Sequence, residues 1–144
     1  MSQIVVDASV AAKWVLPRAN EPLAEQAAQL LANYRKGEDQ FLVPDLFWAE
    51  LGNVLWKAVR VRRCELSAAQ AGLKLLSDLR IPTVPTHSVL DLAFSIAATS
   101  NRTVYDSLYI AVAVFSKCQF VTADEKLANA LAAKLPVKWL GAYI

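Results

Sequence analysis

Short apolar runs alternate with longer amphipathic stretches along the whole chain, and that alternation predicts strands and helices in turn. Gln3–Val6 is brief, β-branched and closed by Asp7, the pattern of a buried strand. Ser9–Leu16 follows as a short helix stopped by Pro17. Leu23, Ala27, Leu30, Leu31 and Tyr34 recur at helical spacing, so Glu21–Tyr34 is a second helix that ends near Gly37. Phe41–Val43 is a second strand. After Pro44, Asp45 is placed to cap a long helix running to about Arg62, with Leu46, Leu51, Val54, Leu55 and Ala58 as its apolar positions. Ser67 and Gln70 have capping-box spacing at the head of a helix that reaches Leu79. Thr83–Val84, between Pro82 and Pro85, is a third, very short strand. His87–Thr99 and Thr103–Ser116 are helices, the second apolar enough to be buried on most sides. Gln119–Thr122 is a fourth strand, Ala123–Lys134 its following helix, and Val137–Leu140, after Pro136, a fifth strand.

Strands separated by helices specify a parallel sheet covered on both faces. The pattern predicts an open three-layer α/β/α sandwich, since a barrel needs many more residues. No repeat, low-complexity tract or linker interrupts it, so residues 1–144 are expected to form a single domain. Hydrophobic residues make up 56% of the chain, which excludes a disordered tail protein. The formal net charge is only +2, so any nucleic-acid site must be local and must manage its own charge. Cys64 and Cys118 are unpaired in sequence and His87 is the one histidine, too few ligands for a zinc site. Isolated thiols and the absence of a leader-like N-terminus point to a cytoplasmic protein. The longest apolar run, Leu108–Phe115, is too short to cross a bilayer, so no membrane association is expected.

The acids change the picture. In open parallel sheets, ligands sit beyond the carboxyl ends of the strands. Asp7 ends the first strand and Asp124 lies two residues past the fourth, so both belong at that edge. Glu50, in the second turn of the helix after strand two, can reach it, and Asp106 lies in the first turn of the apolar helix. Each has a simple structural role open to it: Asp7 as a helix cap, Thr103 and Asp106 as a capping box, Asp124 beside a Thr122–Glu125 box, and Glu50 as a solvated helix residue. Yet all four are set in apolar segments, and four carboxylates on one rim repel unless a cation joins them. Mg²⁺ and Mn²⁺ prefer such oxygen ligands and need no His or Cys.

These residues resemble the PIN-domain family, in particular the VapC-like toxins of toxin–antitoxin pairs. The resemblance is carried by Val6-Asp7-Ala8-Ser9-Val10 and by Pro44-Asp45-Leu46-Phe47-Trp48-Ala49-Glu50-Leu51-Gly52-Asn53-Val54-Leu55. Tyr105-Asp106-Ser107-Leu108-Tyr109-Ile110-Ala111-Val112-Ala113 and Val121-Thr122-Ala123-Asp124-Glu125-Lys126-Leu127 complete it, in the family's order and over nearly the whole chain. It implies a five-stranded sheet of order 3-2-1-4-5 and a metal-dependent endoribonuclease that hydrolyses RNA phosphodiester bonds. By the same resemblance Asp7, Asp106 and Asp124 hold one or two Mg²⁺ or Mn²⁺ ions. Glu50 holds a second ion or orients the attacking water, and Ser9, Asn53 and Thr122 support the carboxylates. A homodimer and a cognate antitoxin protein are implied as well. Two other readings stay open: a different Mg²⁺-dependent phosphohydrolase, disfavoured by Asp7-Ala8-Ser9 where an Asp-x-Asp nucleophile motif belongs, and a catalytically silent binding module.

Lys13, Arg18 and Arg102 lie nearest the expected rim and are candidate phosphate contacts. The dense basic stretch Lys57-Ala58-Val59-Arg60-Val61-Arg62-Arg63 fits either an RNA contact alongside Trp56 or cations favoured at a helix C-terminus. Trp14, Trp48 and Trp56 are expected in core or interface packing, with Trp14 and an exposed Leu16–Pro17 turn as a candidate dimer or antitoxin surface.

Overall fold

Ile4, Val5 and Val6 are buried on both sides of the strand, which a chain achieves only at the centre of a sheet covered on both faces. The computed structural model, which describes residues Ser2–Tyr143, places them there. β1 (Ser2–Val6) pairs in parallel with β2 (Asp39–Pro44) on one side and β4 (Gln119–Thr122) on the other. β3 (Thr83–Val84) and β5 (Val137–Trp139) complete a sheet of order β3-β2-β1-β4-β5. The chain moves outward from β1 to β3, then returns to β4 and moves outward to β5. Right-handed crossovers therefore put the helices before β3 on one face and those after it on the other.

Among the described residues, seven α-helices accompany the strands: α1 (Ala8–Ala11), α2 (Ala24–Arg35), α3 (Leu46–Arg60), α4 (Leu66–Asp78), α5 (Thr86–Ser100), α6 (Val104–Ser116) and α7 (Glu125–Leu131). Several boundaries differ from the sequence reading for local reasons. The predicted helix over 9–16 is α1 followed by a 3-10 turn at Ala12–Trp14. α2 begins three residues late because Leu23 adopts a left-handed backbone after Pro22. β2 begins two residues early, where Asp39 pairs with Ser2 and accepts a hydrogen bond from its hydroxyl. Asp45 does not cap α3; its Oδ1 accepts from the backbone N–H of Thr86 (3.1 Å) and from the Thr86 hydroxyl, fixing the start of α5 instead. Ser67 lies inside α4, whose cap position is Glu65.

The core is one continuous cluster. At its β2 end, Phe41 is stacked between Tyr34 (4.5 Å between centroids) and Trp14 (5.3 Å). Trp14 also donates its indole N–H to Ala27 O (2.8 Å), and Trp48 donates to Thr83 Oγ1 (3.2 Å), so these two pack as expected. Trp56 lies outside the core and is 53% exposed. Leu16 is buried, which corrects the expected exposed Leu16–Pro17 turn; only Pro17 faces solvent. Among the described residues, no helix is long and apolar enough to cross a membrane.

Candidate active site

β1 and β4 run in the same direction with Val6 opposite Val121, so their carboxyl ends finish side by side. The Asp7 amide still bonds Val121 O (3.0 Å), carrying the pairing up to the acid itself. Thr122, fully buried, joins the two strand ends through a single hydroxyl. Its Oγ1 donates to Asp7 Oδ2 (2.7 Å) and accepts from the backbone N–H of Asp124 (3.1 Å). Ser9 adds a second tie, its Oγ accepting from Ala123 N–H (3.3 Å). Asp7 caps α1 through Ser9 N–H (3.5 Å), and Asp124 caps α7 through Leu127 N–H (3.1 Å). Asp124 thus takes the capping role that Thr122 and Glu125 were expected to share.

The other two acids arrive on helices. Glu50, one turn into α3, accepts a 2.6 Å hydrogen bond from the Tyr109 hydroxyl on α6. Tyr109 is 2% exposed and stacks on Phe120 of β4 (5.1 Å). Asp106 sits in the first turn of α6, where its backbone N–H donates to the Thr103 cap (3.0 Å).

Electrostatics couple the four acids in pairs. Burial pushes the Asp7 carboxyl up to about 6, against the pull of Thr122 and Ser9, and the charge of Glu50 adds to the rise. Burial and then Asp124 raise Asp106, while Arg102 and Thr103 oppose the shift. Burial, Asp7 and Glu50 push the Tyr109 phenol far up, so it stays a proton donor. Among the described residues the ion pairs are Lys13–Glu21 and Arg63–Glu21, so no Lys or Arg forms a salt bridge with the four acids. Nor do any three His, Cys, Asp or Glu side chains among these residues stand close enough to enclose one ion; the acids approach as Asp7 with Glu50 and Asp106 with Asp124.

A family model of the PIN domain matches residues 4–132. The chain belongs to the PIN-domain family. This PIN domain is 33% identical over 93 residues to exonuclease VapC9 of Pyrobaculum aerophilum, covering 64% of this chain and 68% of that protein. It is 28% identical over 134 residues to ribonuclease VapC9 of Mycobacterium tuberculosis, covering 93% and 95%. Among solved structures it is similar to PAE2754 from Pyrobaculum aerophilum, with TM-score 0.68 and 25% identity over 97% of this chain and 85% of that one. The fold is also that of VapBC2 from Rickettsia felis bound to a DNA fragment from their promoter, with TM-score 0.61 and 12% identity over 95% and 98% of the two chains.

The PIN domain distributes the remaining candidates unevenly. Asn53 is exposed one turn after Glu50 and has no hydrogen bond to the acids among the described residues. The Lys13 ammonium is held by Glu21 Oε2 (2.8 Å) and Pro22 O (2.7 Å). Arg18 lines a cavity of about 410 Å³ with Trp14, Leu31 and Arg35, beside α2 and not beside the acids. Of the three, Arg102 is the one coupled to a site acid, Asp106.

Tyr109 was not among the sequence candidates. Its signal was a polar-tipped aromatic three residues past Asp106 in an otherwise apolar helix, which reads first as core. Tyr109→Phe removes the one hydrogen bond holding Glu50 and leaves the stacked ring. The expected result is a stability loss of about 1 kcal/mol by denaturant unfolding, with a disordered or shifted Glu50 side chain in a crystal structure of the variant.

Proposed function

We propose that this PIN domain, residues 1–144 acting as one unit, is a metal-dependent endoribonuclease and the toxin of a toxin–antitoxin pair. The observation that carries this reading is the set of acids at one sheet edge, Asp7 with Glu50 and Asp106 with Asp124, with no ion-pair partner among the described residues. The names of the similar proteins, ribonuclease and exonuclease, support the same chemistry. The donor set is all carboxylate, which suits Mg²⁺ or Mn²⁺, and Mg²⁺ is commonly bound by one or two carboxylates with waters completing its shell. Two electrostatically coupled pairs therefore suit one or two such ions with waters completing the shell. Asp106 with Asp124, and Asp7 with Glu50, are the pairs that would each hold an ion. A divalent cation there supplies neutralisation of the pocket, polarisation of a phosphate and activation of a water.

The chain's own groups do the positioning. Thr122 orients Asp7 through Oδ2, Ser9 and Thr122 hold the two strand ends together, and Tyr109 fixes one oxygen of Glu50. Arg102, whose charge is felt by Asp106, would meet a scissile phosphate. RNA is the substrate in this reading, a cognate antitoxin protein its inhibitor, a homodimer its working form and the cytoplasm its place.

Two measurements test it. Purified protein with Mn²⁺ is expected to cut RNA, leaving 5′-phosphate ends by sequencing, and excess EDTA is expected to stop it; undiminished cutting in EDTA sinks the proposal. Calorimetric titration with Mn²⁺ is expected to detect binding in the millimolar range or tighter, and its absence would leave only a silent binding module.

A further inference from the structure

The exposed Trp56 and the basic run around it are left over from the site just described. α3 enters that site with Glu50 and then runs away from it. Beyond Glu50, the positions Asn53, Trp56, Lys57 and Arg60 follow i, i+3, i+4, i+7 spacing, so they form one stripe on the helix. All four are exposed, while Leu51, Leu55 and Ala58 on the opposite side are buried. The stripe begins one turn from Glu50, and Trp56 lies about 9 Å further along the axis than Glu50. Arg60 is stacked over the Trp56 ring, its guanidinium carbon 4.9 Å from the centroid. Arg62, exposed, extends the positive charge beyond the helix end, whereas Arg63 is tied to Glu21. No Asp or Glu occurs between Glu50 and Glu65.

Core packing does not account for a half-exposed tryptophan, and a favourable helix dipole accounts for the cations but not for the aromatic between them. A single nucleic-acid strand needs both: cations that follow the phosphates, and a ring and a guanidinium plane on which bases stack. We propose that the Asn53–Trp56–Lys57–Arg60 stripe of α3 binds the single-stranded RNA that leads away from the acid pocket, with one base stacked at Trp56 and phosphates at Lys57 and Arg60. The proposal rests on the ribonuclease reading and deepens it: it gives the path of the strand along α3 beyond the pocket. The acid pocket is negative without its cation and repels RNA, so a positive stripe beginning one turn away supplies the attraction that the pocket lacks.

The test separates binding from cutting. Anisotropy of a fluorescein-labelled oligouridylate of about ten nucleotides, in EDTA so that nothing is cleaved, is measured for wild type, Trp56→Ala, Trp56→Phe and Arg60→Gln. Trp56→Ala is expected to weaken binding about tenfold and Trp56→Phe to recover most of it. Arg60→Gln is expected to lower the slope of log affinity against log salt by about one. Thermal midpoints serve as the folding control, and Arg60→Gln carries the test if Trp56→Ala fails to fold. No binding by wild type, or variants that bind as wild type does, overturns the stripe while Mn²⁺-dependent cutting, measured alongside, reports separately on the ribonuclease reading. A Trp56→Ala protein that keeps its RNA affinity but changes its sedimentation coefficient also overturns it, by assigning the face to a protein contact.

Discussion

Asp7→Asn is expected to reduce RNA cleavage at least about 100-fold while making the metal-free protein more stable near neutral pH, not less. With its oxygen at the Oδ1 position the amide still accepts from Ser9 N–H, and its NH2 at the Oδ2 position faces Thr122 Oγ1, whose hydroxyl turns to accept from it. What it removes is a charge that burial resists: the Asp7 carboxyl titrates at about 6 against a usual 3.8. The folded state therefore binds this proton more tightly than the unfolded chain. Stability from Asp7 is present below the unfolded value near 4 and is lost as pH rises through about 6. Asn has no such loss. The advantage of the variant over wild type is expected to open between those values and to reach roughly 1–3 kcal/mol by pH 8 in EDTA. Melts at pH 4 and pH 8 measure it, and a variant less stable than wild type at pH 8 contradicts the account of Asp7 as a half-buried charge awaiting a cation.

Phe41→Ala is expected to cost about 3–5 kcal/mol by denaturant unfolding. Phe41 is 1% exposed on β2, next to the central strand, and its ring is held between Tyr34 and Trp14. Truncation leaves a cavity that neither neighbour can easily fill, because Trp14 is anchored at Ala27 O and Tyr34 donates its hydroxyl to Leu79 O (3.1 Å). A loss under about 1 kcal/mol would mean that these rings relax into the space.

Element types were legible because they rest on local periodicity, as in the all-round apolar character of α6 and the β-branched Ile4, Val5 and Val6. The strand order was not in the periodicity at all; it followed from the resemblance, and the pairing of Val6 with Val121 bears it out. What escaped was non-local. Asp45 has every local mark of a cap for α3, yet it serves Thr86, 41 residues on. Lys13 sits close in sequence to Asp7 but is drawn to Glu21, a partner no spacing rule selects. Tyr109 is a core residue by pattern, and only the fold brings Glu50 to its hydroxyl. The exposure of Trp56 was missed because an aromatic in an amphipathic helix is assigned to the core unless its angular position is compared with that of its neighbours.

The Thr122–Asp7 bond spans 115 positions in the chain, and the sheet closes at its centre only when β4 docks beside β1. Such late, distant pairing makes folding slow compared with that of a helical bundle. On the proposed ribonuclease reading, a nascent polypeptide halted anywhere before Asp124 still lacks one of the four acids and the strand end that orients Asp7, whatever it has already folded.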